Sequence, residues 1–360
     1  MMSKVITMTK GDWVIKLLND PDRKSLLRII YECFYLLLVY RELPVHYFSR
    51  YLFKKSTTNI RNYLPNNFLG EKVTPFFNDK KAKEVLDNKL FFDFFYKQFA
   101  ISLPRILMYN SRRTFVIGSR SFVVNTINDF ISLIEEIFKQ NPSYDSILIK
   151  KTSYSSSGDN IYKVFRDQFK INPENLAEIY SEVIKSEYLF QETVRQHPDL
   201  NKLNSSCLNT MRMDTFIDSD GKPDIISGFI RMSIINEYVD NLNRGGCLVS
   251  IDLQTGKLKK FGYSIFKTSD AKILTEHPIT KTVFENFTIP YFTQAKELVL
   301  KTASNTPGLR LVGWDVAVGE SGPIIIEGNS DYEIRGSDFA NGGYLANNTF
   351  RKVLHEINFL

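Results

Sequence analysis

The chain has 360 residues, 43% of them hydrophobic and 24% charged, a balance that excludes intrinsic disorder and a membrane-spanning bundle and suffices for two or three packed subdomains. A net charge of +6 on 46 basic and 40 acidic residues is a mild field, compatible with a small anionic ligand but not with the concentrated patch of a nucleic-acid binder. Cys33, Cys207 and Cys247 are odd in number and far apart, so neither a disulfide framework nor a zinc site is expected, and a reducing cytoplasm is the default.

In chain order, residues 21–55 read as helix, with apolar positions at Leu26, Leu27, Ile30, Phe34 and Leu37. The apolar run from Ile29 to Tyr40 contains Glu32 and is shorter than the roughly 20 residues a span requires, so it reads as a buried helix. No signal sequence is expected at the start. Residues 81–97 read as a second helix. Strands are expected at 106–109 and 115–118, then a helix at 126–139. A short strand, Ile147 to Lys150, runs into the polar loop Thr152 to Gly158, and Tyr188 to Glu192 reads as a further strand. Beyond Thr210, strand signals dominate: 211–216, 225–234, 248–253 and 257–264, with Gly221 and Gly256 supplying turns. A helix at 292–303 precedes strands at 310–318 and 323–327. The order is α+β rather than a regular βαβ alternation.

The sharpest chemical signal lies between Gly313 and Asn329. Two strands joined by the turn 319–322 pair antiparallel, which places Asp315 and Glu327 nearly opposite each other. Glu327 and Asn329, two apart on a strand, share a face. Hard oxygen ligands of this kind suit Mg²⁺, which leaves its other positions to water and phosphate. Acidic residues near a hairpin are usually only solvated, but Glu327 follows the apolar run 323–326, and a carboxylate leaving a buried strand needs a partner.

Lys150 ends a buried-looking strand, and the Ser-rich loop with Gly158 follows. Small residues let backbone N–H groups approach phosphate, and a strand lysine can reach it as a point charge. Such a loop alone is as well read as ordinary surface, and neither GxxxxGK[ST] nor GxGxxG is present. The strand 188–192 offers either an adenine-binding edge or an ordinary sheet edge.

In this order the pieces resemble the ATP-grasp superfamily, and within it the sugar-transfer-associated, alpha-L-glutamate ligase-like group. The residues that carry the likeness are Gln196-His197-Pro198, Asn209-Thr210-Met211-Arg212, Val239-Asp240-Asn241 with Gly245-Gly246, Ile251-Asp252, His277-Pro278, Gly313-Trp314-Asp315 and Ile326-Glu327-Gly328-Asn329. The resemblance covers roughly residues 80 to 355. It implies an α+β fold in which two subdomains clasp ATP behind a helical N-terminal region. The implied segments are 1–80, the helical region; 81–145, an α/β subdomain; 146–195, a small subdomain with the lysine and loop; and 196–360, a large metal-binding subdomain.

The same resemblance implies that Lys89, Lys150, Lys151, Ser156, Ser157, Gly158, Gln191 and Glu192 bind ATP, and that Asp315, Glu327 and Asn329 hold Mg²⁺. Lys150, rather than Lys151, is expected to face the nucleotide. Several relatives carry an arginine two residues before the metal aspartate; here that position is Gly313, and Arg212 or Arg231 is the candidate replacement. Arg212, Arg231 and Lys150 are the expected catalytic cations. His197 and His277, each followed by proline, read as structural or substrate-orienting.

The implied chemistry is an ATP-dependent carboxylate–amine ligase. The γ-phosphoryl group activates a carboxylate as an acyl phosphate, an amine displaces phosphate, and ADP is released. The expected partners are a small-molecule or sugar-linked carboxylate and an amine or amino acid, in cell-surface polysaccharide or sugar-conjugate synthesis. No nucleic acid and no spanning segment are expected; peripheral membrane contact stays open. Two other readings remain: an ATP-grasp kinase acting on a small acceptor, and a nucleotide-binding module without catalysis.

Overall fold

Pro44 and a left-handed Arg41 (φ 57) divide the helix expected over residues 21–55. The computed structural model describes residues 10–153, 161–167, 173–235, 246–264 and 272–359. It folds as two units: a larger one of residues 1–83, 196–323 and 328–360, and a smaller one of residues 84–195 and 324–327. Among the described residues, no helix is long and apolar enough to cross a membrane.

The larger unit begins with helices α1 (Lys10–Leu18), α2 (Leu26–Tyr40), α3 (Val45–Ser49) and the short α4 (Thr74–Phe77). Ser25 caps α2 by accepting from the Arg28 N–H, and the Arg41 N–H closes its far end on the Leu37 carbonyl. Ile29 and Leu36 pack with Tyr47, Leu52 and Phe53 in a cluster that also takes in Phe229, Leu248 and Phe339. Arg50 and Asp338, both fully buried, pair at 2.5 Å and tie α3 to the C-terminal segment. One expectation fails here. The run 29–40 is not a buried helix: only the Ile29/Glu32/Leu36 side is inside, whereas Ile30 is 65% and Tyr31 67% exposed. An apolar helix has two apolar sides, and only the neighbouring elements decide which is covered.

The smaller unit starts with α5 (Glu84–Asp87) and α6 (Lys89–Lys97). Asn88 separates them: its side chain accepts from the Leu90 and Phe91 N–H groups and starts a new helix inside the stretch expected to be one. Then come β1 (Ile106–Ser111), β2 (Thr114–Ile117), β3 (Arg120–Val123), α7 (Ile127–Gln140), β4 (Ser146–Lys151), β5 (Ile161–Phe165), α8 (Pro173–Val183) and β6 (Glu187–Glu192). A capping box between Thr126 and Asp129 begins α7. The strands pair antiparallel in the order β3-β2-β1-β6-β4-β5. Ile147, Ile149, Tyr188 and Phe190 point to one face, where Phe130, Ile134 and Ile137 of α7 and Ile179 and Val183 of α8 cover them. The alternation leaves Leu148, Lys150, Leu189 and Gln191 for the other face.

The rest of the larger unit carries α9 (Pro198–Leu203), β7 (Thr210–Ile217), β8 (Pro223–Ser233), β9 (Gly246–Ile251), β10 (Leu258–Ser264), β11 (Ile273–Leu274), α10 (Phe292–Ser304), β12 (Leu311–Gly319), β13 (Gly322–Asn329), α11 (Arg335–Asn341) and α12 (Asn348–Glu356). Its sheet runs β11-β10-β9-β8-β7-β12-β13 among the described residues. β7 and β12 are nearly continuous runs of buried side chains, as strands covered on both faces should be.

Candidate functional site

In the smaller unit, Lys89, Lys150, Gln191 and Glu327 line one cleft, together with Asp93 and apolar residues that include Phe92 and Leu103. Each is placed by local structure. Lys89 is the first residue of α6, and its N–H donates to the Thr152 carbonyl at 2.8 Å, which ties the helix start to the chain just beyond β4. Lys150 and Gln191 sit on the non-core face of adjacent strands, because Lys150 pairs with Leu189 and Gln191 with Leu148. Glu327 belongs to the short stretch 324–327 that joins this unit, held where the Ile325 N–H donates to the Ser102 carbonyl at 2.9 Å.

Burial pushes the Lys150 ammonium down to about 8; the Glu327 carboxylate opposes that shift and Lys89 adds to it. Two lysines, two carboxylates and an amide thus line a half-apolar cleft, with the Lys150 ammonium held below its ordinary value by burial. Asp93, one helical turn from Lys89, is buried, pairs with Lys97 at 2.5 Å, and has its carboxyl raised by burial. Sequence reasoning missed Asp93. Its signal was a lone acid among the phenylalanines of 91–95.

Two expected nucleotide residues of this unit do not line the cleft. Lys151 pairs with Tyr188, on the core-facing side of β4. Glu192 also sits on the core side of its strand: its carboxylate accepts from the Arg105 N–H at 2.9 Å and from the Tyr144 hydroxyl at 2.6 Å. Ser156, Ser157 and Gly158 lie outside the described residues.

In the larger unit the centre is Asp315, buried on β12. Arg212 on β7 stands directly opposite it in register, with Nε 2.5 Å from Oδ1. Arg231, from β8, brings Nη2 to 2.7 Å from Oδ2 and also donates to Thr210 Oγ1, its cross-strand partner. Both carboxylate oxygens are thus held by guanidinium groups. The absence of an arginine at Gly313 has a steric counterpart, because a Cβ there would lie 3.0 Å from the Tyr332 ring and 3.1 Å from Arg212 Cδ. Gly313 makes the room into which Arg212 reaches from the neighbouring strand.

Asp214, two residues from Arg212, is fully buried. Its Oδ2 accepts from the Ser337 and Tyr344 hydroxyls, and burial raises its carboxyl to about 6. Asn329 ends β13 and is half-buried. Asn78, another residue missed from sequence, donates to the carbonyls of Leu311 and Ser330 at 2.7 and 2.8 Å, so it braces the start of β12 and the segment after Asn329.

The two His-Pro histidines serve the fold. His197 caps α9 by accepting from the Asp199 N–H. Buried His277 accepts at Nδ1 from two backbone N–H groups and donates from Nε2 to the Ser233 carbonyl, and burial lowers its pKa. A ring so held is neutral.

No curated protein matches the sequence. Among solved structures, D-alanyl-alanine synthetase A from Vibrio cholerae is similar at 14% identity, over 78% of this chain and 66% of that one, with a TM-score of 0.47. D-alanine–D-alanine ligase from Bacillus anthracis is similar at 11% identity over 78% and 69%, with a TM-score of 0.43. The biotin carboxylase domain of the Hydrogenobacter thermophilus 2-oxoglutarate carboxylase, a dimer in complex with MgADP, ADP and bicarbonate, matches at 11% identity over 74% and 46%, with a TM-score of 0.40. The first of these thus extends beyond the length this chain spans. The family model described as sugar-transfer associated ATP-grasp matches residues 69–353, most of the chain, and the protein belongs to that family.

Proposed function

We propose that the protein is an ATP-dependent carboxylate–amine ligase that activates its acceptor as an acyl phosphate and releases ADP and phosphate. The observation that carries the proposal is the half-apolar cleft holding Lys89, Lys150, Gln191 and Glu327, within a chain of the ATP-grasp family. Lys150 and Lys89 bind the nucleotide phosphates, and the Gln191 amide orients the nucleotide. Segment 146–195 supplies this lysine part, and 196–360 supplies the metal and acceptor part.

The Mg²⁺ that the family implies would draw oxygen donors from Asp315 and Asn329 of the larger unit and Glu327 of the smaller one, and Asp315 would have to yield oxygen contacts now held by Arg212 and Arg231. Two carboxylates and an amide fit an ion that keeps positions for phosphate oxygens. When bound, Mg²⁺ neutralises charge on the transferring phosphoryl group. Arg212 and Arg231, held against Asp315, balance that carboxylate and present positive charge to the acceptor carboxylate and to the oxyanion formed as the amine attacks. Lys150, cationic below about 8, neutralises the phosphate as it transfers.

The proposed substrates are a sugar-linked acid such as a uronic acid, and an amine or amino acid, in cell-surface polysaccharide or sugar-conjugate synthesis; the family's description as sugar-transfer associated supports the sugar part of that reading. The test is ADP release from a panel of uronic acids with amino acids, using carboxylates labelled with heavy oxygen. Label in the released phosphate together with an amide is the expected result. Amide with unlabelled phosphate excludes the acyl-phosphate route, and a labelled phosphoester without amide makes the protein a kinase.

A further inference from the structure

More than half of the large apolar side chains exposed among the described residues fall between Val14 and Val45. They are organised. Leu27, Ile30, Tyr31, Phe34 and Leu38 follow i, i+3, i+4 spacing along one side of α2 and are 58–82% exposed, with no charged residue among them. The opposite side of the same helix is already committed to the core through Ile29 and Leu36. A soluble helix shows one apolar stripe, and this one shows two.

The surplus charge of the sequence falls in the same stretch of the chain. Residues 1–63 hold eleven basic and five acidic residues, so the whole surplus of +6 lies there and residues 64–360 balance. Several of these cations flank the apolar stripe. Arg28 pairs with Glu32, but Lys24 shares that carboxylate, which leaves the group net positive. Arg61 lies over the Tyr35 ring of α2 at 4.8 Å. Arg41 ends the helix. Arg23 and Lys55, at its start, hydrogen-bond the backbone carbonyls of Leu18, Lys24 and Pro21, which leaves their charge in place.

We infer that α2 lies in the surface of an anionic lipid bilayer, with Leu27, Phe34 and Leu38 among the acyl chains and the flanking arginines and lysines at the headgroups. An apolar stripe edged by cations is what an interfacial helix requires. The helix has 15 residues, about 22 Å of rise, too short to span. A second copy of the chain is the less suitable occupant, because stacking two such stripes brings two +6 segments together.

The experiment is vesicle co-sedimentation of the full chain, on phosphatidylcholine alone and on phosphatidylcholine with about one-third phosphatidylglycerol. The mixed vesicles should bind at least about tenfold more tightly, and added salt should weaken that binding. The variant Leu27→Ser/Phe34→Ser/Leu38→Ser alters only exposed positions. It should keep the wild-type thermal unfolding and lose at least about tenfold in vesicle affinity. Arg41→Glu with Arg61→Glu should erase the preference for the anionic vesicles. The inference is overturned if wild type ignores the mixed vesicles, or if the serine variant binds them equally well. It is also overturned if wild type is a dimer that the serine variant turns monomeric while neither binds vesicles, which would assign the stripe to a second copy.

Discussion

Arg212 and Asp315 stand directly opposite each other on β7 and β12, with Nε 2.5 Å from Oδ1 and both side chains almost wholly out of solvent. They are 103 residues apart in the chain. Arg231 takes the second oxygen of the same carboxylate, so one buried anion answers for two cations. Removing the anion therefore takes a partner from two guanidinium groups at once, whereas removing either cation leaves the other paired with the carboxylate.

That asymmetry makes the first prediction. Asp315→Asn should destabilise the fold by about 3 kcal/mol, and Arg231→Met by clearly less. Urea unfolding of the two variants reads this directly, and equal losses would contradict the shared pairing.

Lys150 gives a pH signature. Its ammonium titrates near 8, below the ordinary lysine value, because burial disfavours the charged form. In the free protein the charged lysine therefore costs stability below that pH, and the cost is relieved as pH rises from about 8 toward the unfolded value. Nucleotide affinity should run the other way, falling as pH rises through about 8 as the cation is lost. Lys150→Met should bind weakly with a flat pH profile over that window, while Lys151→Met should keep the wild-type profile. A profile that survives in Lys150→Met assigns the titration elsewhere.

Gly313 is the third test. An alanine Cβ would press on the Tyr332 ring and on Arg212 Cδ. Gly313→Ala should cost about 1–3 kcal/mol and shift Arg212 off Asp315. A crystal structure of the variant with Arg212 unmoved, or an unchanged melting temperature, would refute the steric account.

The fourth concerns two buried acids in the larger unit. Asp214 and Asp338 both titrate near 6, raised by burial. A carboxyl whose folded value is raised contributes stability in full below its unfolded value, and that contribution is lost as pH rises through the folded one. Stability should accordingly decline between about pH 4 and 6 on their account. Asp214→Asn should remove part of that slope, read from denaturant midpoints across the window. A slope identical to wild type would show that Asp214 stays ionised in the fold.

Much of this protein was written locally. The alternation Ile147, Ile149 against Leu148, Lys150 set the faces of β4, and the order of motifs from Lys150 to Asn329 marked an ATP-grasp chain before any contact was known. The α7 start was legible too, because its capping box is complete within four residues. What tertiary structure alone decided is of longer range. Which apolar side of α2 is covered depends on Tyr47, Leu52 and Phe53, not on the helix itself. The partners of the Glu192 carboxylate, the Arg105 N–H and the Tyr144 hydroxyl, are likewise distant in sequence, because strand parity turns that side chain to the core side. Asp93 joins Lys89 and Lys150 only once α6 is capped at Asn88 and tied to Thr152. And Arg212 meets Asp315 only through the register of two strands, since a local pattern can specify a face but not which distant residue will share it.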